Sequence, residues 1–257
     1  MRIAASVAWR RAGGVLCLVT LACGGAPASP SRAAISGPTE TLGSAHFVLH
    51  YAAMDAGTVE QTSTRLEAEY DRIIADLEVA TMPVVDIYFY PTHAALVAGA
   101  GPNAGVIPTW ATGLATGVSQ VHMLSPSIAG SYDQAVSNLI HEFAHCVSIR
   151  VNRTIPNNPR WLWESVAIYE SRQLVNPRNL TYLVAGQPPS FARLNTFDNT
   201  LVYDVGFLIA EFVVERWGRE RLVQLVAANG DVAAVLLMSL GEFETQWFAA
   251  VRSKYGI

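Results

Sequence analysis

Apolar residues change their spacing part-way along this chain, and the kind of element the chain can form changes with it. In the first part the period is two. Ala45-His46-Phe47-Val48-Leu49-His50-Tyr51 alternates as a half-buried strand does, with His46 and His50 on its polar face. Val84 to Tyr90 is a near-continuous apolar run, the mark of a central strand, and Gly117 to Leu124 alternates again. Between the first two strands lies a helix, Thr58 to Val79, with Val59, Leu66, Tyr70, Ile73, Ile74 and Leu77 along its core side. A short helix near Thr92 to Ala98 and a Gly/Pro loop from Gly99 to Pro108 follow the second strand.

Beyond Val136 the period becomes 3.6. Val136, Leu139, Ile140, Phe143, Ala144 and Val147 form one stripe of a helix. Pro159 then starts a helix through Glu170, after the breaker-rich turn Asn152 to Pro159. Residues 176–199 read as loop, and Leu201 to Trp217 and Arg219 to Ala228 as helices. Asp231 opens a helix to Leu240 with Gly241 as its stop, and Glu242 to Arg252 closes the chain. The fold class is α+β: a small mixed sheet in the N-terminal half, then a mainly helical half, forming one domain over residues 42–257.

The first 31 residues stand apart. Arg2, Arg10 and Arg11 precede the apolar run Gly14 to Ala22, the layout of an export signal, and the run is too short to span a membrane. It ends in one of two ways: Leu21-Ala22-Cys23-Gly24 resembles a lipobox that places a lipid anchor on Cys23, and Ala26-Pro27-Ala28 is a plain cleavage site. Residues 32–41 are a polar tether. The expectation is an exported protein of a bacterial cell envelope, lipid-anchored, periplasmic or secreted. Apolar content of 51% against 15% charged excludes disorder, and a net charge of −4 with no basic stripe excludes nucleic acid as a partner. Cys17 and Cys23 belong to the leader, which leaves Cys146 as a small buried apolar residue.

The chemistry lies in His141-Glu142-Phe143-Ala144-His145. Helix residues four apart lie one above the other, so His141 and His145 can hold one metal ion with Glu142 beside it. A catalytic zinc takes three protein ligands and keeps a fourth position for water. Glu164 is the candidate third ligand, with 18 residues between it and His145 and on the next helix. Glu142, not itself a ligand, is placed to act as general base.

The H-E-x-x-H stretch, this connection, and W-L-x-E-x-x-A-x-Y at Trp161 to Tyr169 together resemble the gluzincin zinc metallopeptidases. The nearest likeness is to the peptidase MA-like domains related to the M1 aminopeptidase catalytic domain, over roughly residues 42–257. Tyr203 to Phe207 and Glu215 to Gly218 are similar to the family's tyrosine-bearing helix, and Leu240 to Trp247 to its closing helix. The resemblance implies a zincin-like fold with the H-E-x-x-H helix at the sheet–helix junction and one Zn2+ per chain. It implies hydrolysis of a peptide or protein substrate, and a transition-state tyrosine for which Tyr203 is the candidate and Tyr169 a poorer one. It also implies that the strand before that helix, Gly117 to Leu124, edges the cleft; His122 on it reads as structural. Two departures are visible: Ser165 stands where the family has Gly, and Trp163 where relatives carry a small polar residue. No G-x-M-E-N-like segment to capture an amino terminus precedes His141, so the reading is an endopeptidase or a peptidase of unassigned type. The alternative is a catalytically inactive surface lipoprotein that binds zinc or a partner.

Overall fold

A computed structural model describes residues 37–198 and 200–257 of the chain; the expected export signal and the lipidation reading of Cys23 fall on residues outside the described ones. Five strands form one mixed sheet: β1 (Glu40–Gly43), β2 (Phe47–Tyr51), β3 (Val85–Tyr90), β4 (Gly113–Ala115) and β5 (Gln120–Leu124). Their order is β1-β2-β3-β5-β4, with β2, β3 and β5 parallel and the two edges antiparallel to their neighbours. The register sets Leu49 beside Ile87 and Ile87 beside Val121, a wholly buried apolar row. This row faces α1 (Val59–Asp76) and α3 (Tyr132–Val151), and the small α2 (His93–Ala100) packs near Tyr90 on the other face.

Period two also selects what lies on that second face. His50 pairs with Asp86 at 2.7 Å and stacks on Tyr88, and His122 stacks between Tyr88 and Tyr90 while bonding the Tyr90 hydroxyl at 3.0 Å. His46, just ahead of β2, pairs with Glu67 at 2.7 Å. These three histidines are structural.

After the sheet the chain is helical: α3, α4 (Arg160–Glu170), the single turns α5 (Thr181–Val184) and α6 (Phe191–Leu194), α7 (Leu201–Trp217), α8 (Arg219–Ala227), α9 (Val232–Leu236) and α10 (Leu240–Tyr255). The molecule is thus α+β, with α3 following the last strand. α3 is buried on every side from Leu139 to Ile149, because the sheet and α1 cover its apolar stripe and α4 and α8 pack on its other sides. α4 is held in turn by α7. Gly206 makes this close approach possible: a Cβ there would lie 2.7 Å from Ile168 Cδ1 and 3.2 Å from the Ser165 backbone. The small residue at this crossing is therefore on α7, and Ser165 of α4 packs directly against it.

Three expectations need correction. The tether ends earlier than Thr41, since Glu40 already pairs with Tyr51 in β1; an edge strand needs only backbone partners, so its polar sequence hid it. The strand read over Gly117 to Leu124 is β5, shorter at its start, and β4 lies outside it as the sheet edge on the cleft. Gly241 is no helix stop: α9 ends at Leu236 with Leu237 left-handed, and Ser239 caps α10 through a reciprocal bond with Glu242, placing Gly241 in the first turn.

Candidate metal centre

Ser131 caps α3 and starts the helix in the phase that carries His141 and His145 to the side facing α4. α4 begins behind Pro159, and its second turn brings Glu164 back against them. Glu164 Oε2 lies 3.3 Å from His141 Nε2 and 3.6 Å from His145 Nε2, with all three residues buried. No hydrogen bond satisfies Oε2, nor the Nδ1 atoms of the two histidines. Buried polar atoms normally find partners, so an unbonded carboxylate oxygen this close to two imidazole Nε2 atoms calls for a partner common to all three. Donors around a tetrahedral zinc with bonds of about 2.0–2.1 Å lie about 3.3 Å apart. Two imidazole nitrogens and a carboxylate oxygen are also the donor types that zinc takes. The His141, His145 and Glu164 group can hold a metal ion, and the residues present fit one.

The electrostatics agree. Burial alone would raise Glu164, yet the two imidazoles outweigh it and hold the carboxyl well below its usual range. Burial, with His141 adding to it, pushes His145 down to about 4, so its imidazole is a neutral donor. Burial lowers His141 as well, but Glu164 and Glu142 more than reverse this and leave its pKa raised. Glu142 faces the same space without belonging to the donor group. Burial pushes its carboxyl up to about 7, against the pull of His141.

These groups lie in a cleft of about 780 Å³ whose wall includes β4, Trp110, Arg160, Phe197 and Tyr203. Gly113 lets β4 come close: a Cβ there would meet Met123 at 3.0 Å and Glu142 Cγ at 3.3 Å. Tyr203, in the first turn of α7, sends its hydroxyl to Glu164 Oε1 at 3.3 Å, and its ring lies 6.4 Å from that of His141. Tyr169 packs on Phe207 outside the cleft lining. Cys146 is fully buried, and burial raises its thiol far above the usual range.

The cleft thus gathers His141, Glu142, His145, Glu164 and Tyr203, and leaves out His46, His50, His122 and Tyr169. Sequence reasoning missed two participants. Trp163 stacks on the His145 ring at 3.8 Å and fixes its plane, which gives the departure at this position a role. Arg160 is buried beside Glu164, and its signal was present: it precedes Glu164 by the same four residues that separate the histidines. Neither family models, nor the curated proteins, nor the solved structures provide a match to this chain.

Proposed function

We propose that this chain is a zinc-dependent peptidase of the gluzincin type, with one Zn2+ held by His141, His145 and Glu164. The observation that carries the reading is the meeting of the three buried donors at 3.3 and 3.6 Å with Glu164 Oε2 unbonded. Zinc, when bound, supplies a Lewis acid and a water acidified to near neutrality. Glu142 serves as general base: buried in the cleft beside the donor group without joining it, its carboxylate can accept a proton from the attacking water and return it to the leaving amine. Tyr203 offers its hydroxyl to the oxygen that becomes negative during attack.

Two features favour a polypeptide substrate. β4 is a sheet edge on the cleft wall, so an extended chain can pair with its backbone groups. The cleft is also rimmed by exposed apolar side chains, with Val106 at 96%, Phe197 at 64%, Trp110 at 48% and Leu174 at 46% exposure. Such patches mark surfaces that meet an apolar partner. Export to the cell envelope rests on residues 1–31 and belongs to the same proposal.

The test is Glu142→Gln. We expect one zinc per chain retained and hydrolysis of a quenched peptide library reduced at least about 100-fold. Unchanged turnover would remove Glu142 from the mechanism. Full zinc occupancy in a wild-type protein that cleaves nothing would favour the binding-module alternative.

A further inference from the structure

Arg160 is one of the largest fully buried side chains, at 2% exposure, and it opens α4 one turn ahead of Glu164. A buried guanidinium is costly unless it is paired. Arg160 is paired with groups that line the cleft. Its Nε lies 3.9 Å from Glu164 Oε1, Nη2 donates to the Tyr203 hydroxyl at 3.4 Å, and Nη1 donates to the Leu194 carbonyl at 3.4 Å. The faces of Tyr203 and Phe197 lie 5.4 and 5.8 Å from the guanidinium carbon.

The two oxygens of Glu164 are therefore divided. Oε2 faces the histidines, and Oε1 faces Tyr203 and Arg160. The chain of donors runs one way: an Arg160 N–H points at the phenol oxygen, and the phenol O–H points at Oε1. We infer that Arg160 is a positioning residue, which acts through Tyr203 to hold Oε1 and so present Oε2 alone as the carboxylate donor to the metal. This rests on the zinc reading above and adds to it the group that orients the third ligand. Partners of this kind, one bond behind a ligand, set roughly 10–100-fold of metal affinity. The phenol has one proton, so its hydroxyl holds Oε1 in the resting site and must leave Oε1 to serve the oxygen that becomes negative during attack.

The experiment compares wild type with Arg160→Met, Arg160→Lys and Tyr203→Phe in the mature chain. Zinc affinity is measured by chelator competition, the visible spectrum is recorded after cobalt substitution, and folding is followed by thermal unfolding of the metal-free proteins. We expect Arg160→Met to bind zinc at least about tenfold more weakly and to change the cobalt bands. Arg160→Lys, which keeps the charge and loses the fork, should lie between it and wild type, and Tyr203→Phe should weaken binding by breaking the relay. An arginine serving only the fold would lower the unfolding temperature and leave affinity and spectrum unmoved. If Arg160→Met does not fold, the other two variants decide. Zinc affinity within twofold of wild type in every folded variant, with the same spectrum, overturns the inference and leaves the metal reading intact. A wild type that binds no zinc overturns both.

Discussion

Replacing Gly206 with Ala tests how tightly the third-ligand helix is held. The new methyl would lie 2.7 Å from Ile168 Cδ1, 3.2 Å from Ser165 Cα and 3.3 Å from Ser165 Oγ, where unstrained carbon contacts lie at about 3.5–4.0 Å. Ile168 Cδ1 ends a flexible side chain and can rotate, although the residue is fully buried. Ser165 Cα is backbone, so α4 and α7 must separate by a few tenths of an ångström. Overpacking of this kind costs about 1–3 kcal/mol, and Ala in place of Gly in a helix returns about 1 kcal/mol. The net expectation is about 1 kcal/mol of destabilisation, or a fall of about 2–4 °C in Tm for a domain of this size. Urea unfolding and calorimetry of the metal-free protein measure it. The double variant S165G/G206A loses the Oγ contact, so the two changes should couple favourably by at least about 0.5 kcal/mol. Because Ser165 adjoins Glu164 and Gly206 lies one turn beyond Tyr203, zinc affinity should fall with the single variant as well. A G206A protein more stable than wild type by the full helix-propensity gain would refute the close-packing argument.

Two further outcomes are expected. Arg72 bonds the fully buried Glu170 at 2.6 Å, with Arg219 as a looser second partner at 3.5 Å. Arg72→Met should cost about 2–4 kcal/mol in urea unfolding, and R72M/E170M should recover most of it, because replacing both charges by apolar groups removes the uncompensated one. Zinc affinity should fall about tenfold for each pH unit lost below the raised pKa of His141, measured down to about pH 5 by competition with a chelator of known protonation. The sign follows from competition: a metal ligand must be unprotonated, so acid opposes binding. The slope is one and not two because His145, pushed down to about 4, is already neutral over that range. A slope of two would show that both imidazoles carry protons in the metal-free protein.

The fold and the centre of the site were legible in different degrees. The helices of the second half read well, α7 to the residue, because each has one long apolar stripe. The donors read well because all three lie on helices, where spacing in sequence fixes spacing in space. What failed was short or edge structure. β1 and β4 have four and three residues and depend on a neighbour's backbone, which leaves no periodic signal. The α9–α10 junction was misread because Gly241 outweighed Ser239 and Glu242, although that pair is itself a capping signal. The role of Trp163, and Arg160 altogether, went unread because their partners, a histidine ring and a phenol, are set by how α3, α4 and α7 pack.

All three donors come from one short piece of chain. Only 18 residues separate His145 from Glu164, whereas Tyr203 lies 39 residues beyond Glu164 and β4 is brought in by the sheet. Bringing chain ends together grows more costly only with the logarithm of the loop between them, and contacts between near neighbours form early. A chain emerging unfolded can therefore bring its donors together once α3 and α4 touch, before the cleft wall exists. On the proposed reading the ion would be a template for folding as well as a reagent, and the order in which the chain meets metal and finishes packing would be part of how the site matures.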